Sequence, residues 1–225
     1  MQRVIRSYVI RAGRITEAQR RALDELWPRY GIEFESRFLN LDQAFGRSSL
    51  RTLEIGFGNG EHLLDRALHA PERDFLGVEV HPPGIGHLLL AAAKAQVTNL
   101  RVIAHDAVEA LQQQIAPGSL DEVQLLFPDP WPKKRHHKRR IVQPDFAQLI
   151  ASRLTAGGRF HLATDWAPYA EHMLTVLNGC PSLASCAPDR GFVDSASVMA
   201  RRATRFERRG ERLGLNVHEL LYRRL

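Results

Sequence analysis

The chain has 225 residues, of which 44% are hydrophobic and 25% are charged, and its formal net charge is +6. This composition is ordinary for a soluble globular protein with a sizeable core, and no apolar run approaches the ~20 residues that a membrane helix needs. The first residues do not resemble a signal peptide, and two cysteines without CxxC spacing are typical of reduced thiols. We therefore expect a cytoplasmic protein.

The positive charge is concentrated in three clusters. Six arginines lie within residues 3–21 beside a single acid, six Lys or Arg lie within residues 133–140 with no acid, and six arginines lie within residues 201–212. Clusters of this density are typical of a nucleic-acid-binding surface. The sequence therefore predicts a polyanionic partner.

The first 49 residues are predicted to form a basic arm and a helical segment. Residues 1–15 are basic and irregular. Thr16 is placed to cap a helix over residues 17–27, which we expect Pro28 to end. Residues 29–49 are assigned only as a linking segment.

From residue 50 onward, strand and helix patterns alternate. The predicted strands are 53–55, 75–80, 100–104, 122–127, 159–163 and 215–222. The predicted helices are 61–68, 85–96, 108–115, 145–154 (closed by Gly157 and Gly158) and 168–177, and residues 178–200 are assigned to loops. This order predicts one α/β domain over residues 50–225 with a doubly wound, mostly parallel sheet.

A glycine-rich turn, Gly56-x-Gly58-x-Gly60, links the strand at 53–55 to the helix that follows. Glycines in this context allow a tight turn and the close approach of a ligand. The dinucleotide fingerprint needs glycine where this chain has Glu61, and Glu54 ahead of the turn suits a cation better than a phosphate. The pattern is typical of methyltransferases that bind S-adenosylmethionine, which carries an ammonium and a sulfonium.

Three further acids follow predicted strands. Glu79 lies 23 residues after Gly56, at a position from which an acid can accept hydrogen bonds from both ribose hydroxyls. Asp106 follows the next strand and could accept from an adenine amino group. Asp129 stands between two prolines, which we expect to hold it on a stiff, extended backbone. Because carboxyl ends of parallel strands meet at one sheet edge, these acids predict a nucleoside pocket there.

Several motifs, in their order along the chain, resemble the bacterial tRNA (guanine-N7)-methyltransferases. The most specific is F-P-D-P-W at residues 127–131 with its basic tail. The others lie at residues 53–58, 77–81, 105–107, 138–140, 163–166 and 204–207. The resemblance covers the chain from about residue 50 onward. It implies a class I methyltransferase fold, S-adenosylmethionine as the methyl donor and a guanosine in the variable loop of tRNA as the acceptor.

The resemblance also implies roles for individual residues. The cofactor site would comprise Glu54, Glu79, Asp106 and Asp129 beside the glycines Gly56, Gly58 and Gly60, with Asp129 also the catalytic candidate. The substrate nucleoside would contact Lys133, Asp165, Thr204, Arg205, Phe206 and Glu207, and the RNA would contact Arg135, His136, His137, Lys138, Arg139 and Arg140. Many relatives carry lysine where this chain has Arg205, a change that keeps the charge but alters the donor geometry.

The chemistry of guanine N7 suits a fixed acid. N7 has an in-plane lone pair and no hydrogen, so methyl transfer to it needs orientation rather than a general base. A carboxylate nearby can stabilise the positive charge that moves from sulfur to the purine. We assign that role to Asp129, and Asp165 could share in recognising the base.

Other interpretations stay open. A methyltransferase acting on an adenine or cytosine amine in ribosomal RNA is one, because an acid after a proline near an aromatic residue also resembles the D-P-P-Y type of site. A non-catalytic RNA-binding module is another, and a NAD-dependent enzyme is disfavoured by Glu54 and Glu61. No metal site is predicted, since His136 and His137 have no carboxylate or cysteine at ligand spacing. The sequence leaves open whether Trp131 stacks on the base and whether the protein is a monomer or a homodimer.

Overall fold

The computed structural model describes residues 6–9, 14–194 and 216–225. Within them the strands are β1 (Gly31–Ile32), β2 (Arg51–Ile55), β3 (Asp74–Val78), β4 (Leu100–Ile103), β5 (Leu120–Leu126), β6 (Leu154–Thr164), β7 (Leu183–Ser185) and β8 (His218–Arg224). The α-helices are α1 (Glu17–Glu25), α2 (Trp27–Tyr30), α3 (Leu41–Phe45), α4 (Glu61–His69), α5 (Pro82–Lys94), α6 (Ala107–Gln113), α7 (Pro144–Arg153) and α8 (Ala167–Asn178), and a 3-10 helix spans Lys134–Arg139.

These strands form one sheet in the order β1-β4-β3-β2-β5-β6-β8-β7. Strands β1 to β6 pair in parallel, whereas β8 runs antiparallel to both β6 and β7. From β2 the chain winds outward through β3 and β4, and then returns to β5 on the other side of β2. The prediction of a doubly wound, mostly parallel α/β sheet is confirmed, and the reversal leaves β2 and β5 side by side.

Helices cover both faces of the sheet, because the parallel strands are apolar on both sides. One face packs against α6, α7 and α8 through a core that includes Phe146, Phe160 and Met173. The other face packs against α1, α4 and α5 through a core that includes Leu63 and Leu88. The strand ends near β2 and β5 are thus held by packing on two sides.

The segment before residue 50 adds to the same sheet. Thr16 caps α1 in a capping box with Gln19, as its position in the sequence indicates. Pro28 does not end this helix, contrary to the prediction. Helix α1 ends at Glu25, and Pro28 lies in the first turn of α2, where its missing N–H needs no partner. Strand β1, which pairs in parallel with β4, is only two residues long and leaves no pattern to detect.

Strand β6 differs most from its prediction. It is eleven residues long and starts at Leu154, so it includes Gly157 and Gly158, which the sequence assigns to the end of the preceding helix. The register against β5 shifts between Leu120 and Glu122, and Gly157 has φ +76°. The glycine therefore serves an irregularity in a strand rather than a helix end. Strand β7 lies in the segment 178–200, for which the sequence predicts only loops.

Candidate functional site

The carboxyl ends of the parallel strands bring the predicted acids to one edge of the sheet. The glycine turn follows β2, Glu79 follows β3, Asp106 lies three residues beyond β4, and Asp129 lies three residues beyond β5. Because β2 and β5 are neighbours, the glycine turn and the Asp129 loop meet at the point where the strand order reverses. Open α/β sheets bind their ligands at this point.

The glycine turn requires glycine for its backbone. Gly56, Gly58 and Gly60 have φ of +70°, +59° and +74°, in the left-handed region that other residues rarely adopt. A Cβ added at Gly56 or Gly58 would meet no described atom within 4 Å, whereas one at Gly60 would lie 2.7 Å from Leu88. The first two glycines therefore offer bare backbone to a ligand, while the third packs the turn onto α5.

Glu79 fixes the turn to the start of α5. Its Oε2 accepts from the Gly58 N–H at 2.8 Å, and its Oε1 accepts from the N–H groups of Val80 and His81 at 2.7 and 3.1 Å. Burial raises the pKa of Glu79, and these three donors oppose part of that effect. A carboxylate has about four acceptor positions, so the backbone already occupies most of them. Glu79 can therefore accept at most one further strong bond, fewer than the two ribose hydroxyls that the sequence suggests.

Asp106 caps a helix and also contacts the N-terminal segment. Its Oδ1 accepts from the N–H groups of Val108 and Glu109 at 2.8 and 3.2 Å, at the start of α6. The hydroxyl of Tyr8 is hydrogen-bonded to the Asp106 side chain, and the pKa of Tyr8 is raised by burial and by the Asp106 charge. Residues 6–9 thus lie across the carboxyl end of β4, a placement that the sequence does not reveal.

Glu54 is buried rather than open to the crevice. Only 3% of its surface is exposed, and its Oε2 lies 2.9 Å from Nδ1 of His62, which is 4% exposed. His62 belongs to the first turn of α4, directly after the glycine turn. Sequence reasoning missed His62; the signal that could have found it is its place on the sheet-facing side of a helix that follows a buried acid.

The Asp129 loop has an unusual backbone. Asp129 is exposed, but Phe127 and Trp131 on either side of it have φ of +52° and +45°. Both precede a proline, which normally favours extended geometry, so the local preference is overridden at the two residues that flank the Asp129 segment. An extended backbone at Asp129 itself stays a prediction. Such conformations cost ~1–3 kcal/mol each and are concentrated at functional sites. Two of the four described non-glycine residues with positive φ therefore flank Asp129, and the other two are Gln96 and Arg190.

Contacts on three sides hold the Asp129 loop. The Phe127 N–H donates to the Ala163 carbonyl at 2.8 Å, which continues the pairing of β5 with β6. The indole Nε1 of Trp131 donates to the Ser7 carbonyl at 3.0 Å. The Trp131 ring also packs in the protein: the Arg139 guanidinium lies 4.9 Å from its centre, and the His136 ring meets it edge-on at 5.8 Å. Sequence reasoning missed Ser7, because it contributes only a main-chain oxygen.

The basic tail divides into an exposed group and a buried residue. The exposed side chains are those of Lys133, Lys134, Arg135 and Lys138. Arg140 is only 4% exposed; its Nε donates to the Pro130 carbonyl at 2.9 Å, and its guanidinium lies 4.8 Å from the centre of the Tyr169 ring. The prediction that Arg140 contacts RNA is therefore corrected, because this side chain supports the Asp129 loop from within. His137 and Arg139 are half-buried.

Of the remaining predicted site residues, the structure describes only some. Asp165 is half-buried and follows β6, the strand next to β5, so it lies along the same edge as Asp129. Four predicted substrate contacts fall outside the described residues: Thr204, Arg205, Phe206 and Glu207. The third basic cluster lies outside them as well. Of the first cluster, Arg6, Arg14, Arg20 and Arg21 are described and exposed.

The part of the chain that the structure describes contains neither a metal-binding cluster nor a membrane-spanning helix. There, no three His, Cys, Asp or Glu side chains are grouped closely enough to bind a metal ion. The helices in that part are also too short or too polar to cross a bilayer.

Methyltransferases are among the solved structures that share this fold. The 16S rRNA methyltransferase KamB superposes with a TM-score of 0.56 at 16% identity, over 96% of this chain and 98% of that one. A variant of the 16S rRNA (adenine(1408)-N(1))-methyltransferase from Catenulisporales acidiphilia, crystallised with S-adenosylmethionine, gives 0.54 at 18% identity, over 83% and 92%. These likenesses show the fold, which this chain shares with both of these methyltransferases.

Relatives at higher identity define the family. Residues 48–220 match the family described as "Putative methyltransferase". The tRNA (guanine-N(7)-)-methyltransferase of Stutzerimonas stutzeri is 52% identical over 100% of this chain and 93% of its own length, and that of Leifsonia xyli is 53% identical over 98% and 96%. The chain belongs to the bacterial tRNA (guanine-N7)-methyltransferase family.

Proposed function

We propose that this protein transfers a methyl group from S-adenosylmethionine to N7 of a guanosine in the variable loop of tRNA. The observation that carries the proposal is the meeting, at the β2–β5 reversal, of a glycine turn and an exposed aspartate on a strained loop with a cationic tail. Family members 52–53% identical over nearly the whole chain carry the name of this activity.

The residues present fit a cationic nucleoside cofactor. Gly56 and Gly58 leave bare backbone where a Cβ would otherwise project. The acids Glu79 and Asp106 follow neighbouring strands at the same edge, and the buried Glu54 lies on the strand that enters the turn. A row of carboxylates suits an ammonium and a sulfonium and would repel a pyrophosphate. When bound, S-adenosylmethionine supplies an electrophilic methyl group. Glu79 and Asp106 then have the positions from which to bind the ribose and the adenine.

Asp129 is assigned the catalytic role. Because guanine N7 needs no deprotonation, the chain's task is to orient the base and to stabilise the positive charge that develops on the purine. Asp129 is exposed at the strand end, and its loop is fixed by β6, by Ser7 and by Arg140. Asp165, on the neighbouring strand end, is placed to contribute to recognition of the base.

The exposed cations beside the loop are assigned to tRNA. Lys133, Lys134, Arg135 and Lys138 project from the 3-10 helix and its N-cap, next to Asp129 in sequence and on the exposed side of the loop. Phosphate contacts of this kind set the position of an RNA without reading its sequence. Lys133, together with Asp165, Thr204, Arg205, Phe206 and Glu207, is also assigned to the substrate nucleoside, on the resemblance alone.

The proposed function has consequences for setting and organisation. The partner is tRNA, the site of action is the cytoplasm, and the chemistry calls for no resident metal. Residues 50–225 are assigned to the methyltransferase domain, and residues 1–49 to a basic arm with a helical segment. This division stays a prediction, because strand Gly31–Ile32, within residues 1–49, pairs with β4 of the same sheet.

The test is incubation of undermodified tRNA with the protein and methyl-labelled S-adenosylmethionine, followed by nucleoside analysis. We expect label in 7-methylguanosine, with aniline-induced scission at one variable-loop position after borohydride reduction. Label in an adenine or cytosine derivative would replace this proposal with another RNA methyltransferase. Tight tRNA binding with no label transferred would indicate a non-catalytic binding module.

A further inference from the structure

Helix α4 presents a buried polar stripe to the sheet. His62 and Arg66, one turn apart, face the buried acids Glu54 of β2 and Glu122 of β5. Nη2 of Arg66 lies 3.5 Å from Oε2 of Glu122. Burial alone would raise the pKa of Glu122, but Arg66 and other nearby donors hold it below its ordinary value. Charges buried in this way need partners, and Glu54 and Glu122 each have one on this helix.

The His62 contact is directional. A carboxylate oxygen accepts hydrogen bonds, so Nδ1 of His62 carries the proton that points to Oε2 of Glu54 at 2.9 Å. The other ring nitrogen, Nε2, is buried and has no hydrogen-bond partner among the described residues. Among the described residues, the His62 ring therefore makes its one hydrogen bond to Glu54, and this bond holds the Glu54 carboxylate in position.

The pair spans the glycine turn. Glu54 stands two residues before Gly56, and His62 stands two residues after Gly60. Between them, three backbone positions are held at positive φ. The hydrogen bond therefore joins the strand that enters the turn to the helix that leaves it, and it fixes the distance between the two ends of the turn. A looser connection would let the turn relax away from the shape that receives the cofactor.

We propose that His62 is a positioning residue for S-adenosylmethionine: its Nδ1–H holds the buried Glu54 carboxylate and thereby sets the glycine turn. This inference rests on the proposed function only for the identity of the cofactor. It does not depend on which RNA base accepts the methyl group. His62 does not touch the reacting atoms, so its loss acts on cofactor affinity and leaves the rate at saturating cofactor nearly unchanged.

Three variants of the full chain separate this role from simple packing. In His62→Asn, the Asn Nδ2 takes the place of the His Nδ1, so the hydrogen-bond donor to Glu54 is kept. In His62→Gln, the donor moves toward the place of the His Nε2. His62→Leu has no donor. His161→Leu is the matched control: His161 is also buried and lies 2.5 Å from Glu219, but two strands away from Glu54.

Binding of S-adenosylhomocysteine and S-adenosylmethionine is measured by calorimetry without RNA, together with the melting temperature. A hydrogen bond to a charged group corresponds to roughly 10- to 100-fold in an equilibrium constant. We expect His62→Leu and His62→Gln to weaken binding by about that factor and His62→Asn by no more than ~3-fold. His161→Leu is expected to lower the melting temperature without changing the affinity.

The inference is overturned if His62→Leu or His62→Gln lowers the melting temperature but binds the cofactor within ~3-fold of wild type, or if His62→Asn is as impaired as His62→Gln. If His62→Leu does not fold, the cofactor affinities of His62→Asn and His62→Gln are enough to test the inference. Wild-type protein that binds the cofactor but forms no 7-methylguanosine would refute the proposed function and leave this inference standing. Wild-type protein that binds no cofactor would refute both.

Discussion

Replacing Arg140 by methionine tests the assignment of this arginine to the interior of the loop. The side chain is 4% exposed, donates to the Pro130 carbonyl at 2.9 Å and lies over the Tyr169 ring at 4.8 Å. Methionine keeps the apolar stem but loses the charged hydrogen bond, worth ~1.5–3 kcal/mol, and the cation–π contact, worth ~1–2 kcal/mol. Because one guanidinium makes both contacts, they overlap, and we expect a loss of about 2–4 kcal/mol in the free energy of unfolding.

The assay is thermal and urea unfolding of the free protein, with tRNA affinity measured at several salt concentrations. For a domain of this size, the loss corresponds to a fall of roughly 5–12 °C in melting temperature. Lys138→Met is the control, because Lys138 is exposed on the 3-10 helix that Arg140 follows. The melting temperature of Lys138→Met should stay within ~1 °C of wild type, while the slope of log affinity for tRNA against log salt falls in magnitude by ~0.9. An Arg140→Met protein with unchanged stability and a salt slope reduced like that of Lys138→Met would refute the burial argument.

Three further outcomes are expected. Gly58→Ala puts a methyl group where φ is +59°, so it should cost ~1–2 kcal/mol of stability by calorimetry even though the space is open; an unchanged melting temperature would contradict the left-handed turn. Trp131→Phe keeps an aromatic side chain, although a smaller one, and removes the hydrogen bond to Ser7. Urea unfolding should therefore show a loss of at least ~0.5–1.5 kcal/mol, and no loss would argue against that contact. Raising the salt from 50 to 200 mM should weaken tRNA binding ~150-fold in filter-binding assays if four cations neutralise phosphates. An affinity that does not change with salt would exclude electrostatic binding of the tRNA phosphates. The four are Lys133, Lys134, Arg135 and Lys138.

Much of this arrangement can be predicted from the sequence, because alternating strand and helix patterns leave few topologies. Once the strands are parallel, their carboxyl ends meet at one edge. Residues that follow separate strands, such as Glu79, Asp106 and Asp129, are then expected along the same edge without any knowledge of coordinates. The glycine turn is predictable for a related reason, since glycine is the residue that accepts its backbone angles at no cost.

What the sequence could not predict depends on side-chain direction and on contacts between distant segments. The six basic residues of 133–140 are alike in sequence, and only the folded 3-10 helix turns Arg140 inward while Lys138 stays exposed. The contacts of Ser7 and Tyr8 with the loop and with Asp106 join residues about 100 positions or more apart.

Local rules also failed where the backbone is strained. Prolines after Phe127 and Trp131 favour extended geometry, yet both residues are left-handed, because the packing of the loop overrides the local preference. Two-residue β1 and three-residue β7 are too short for alternation to reveal.

The central claim is that Asp129 stabilises the charge that develops on guanine during methyl transfer. Asp129→Asn removes the charge and keeps the shape, and the exposed Asp145→Asn on α7 serves as the control. The measurement is the single-turnover rate of 7-methylguanosine formation, with tRNA bound in advance and the cofactor saturating. Loss of a preorganised charge at a reacting centre predicts a rate ~100-fold lower for Asp129→Asn, with tRNA affinity within ~3-fold and an unchanged rate for Asp145→Asn. A near wild-type rate for Asp129→Asn would contradict the account.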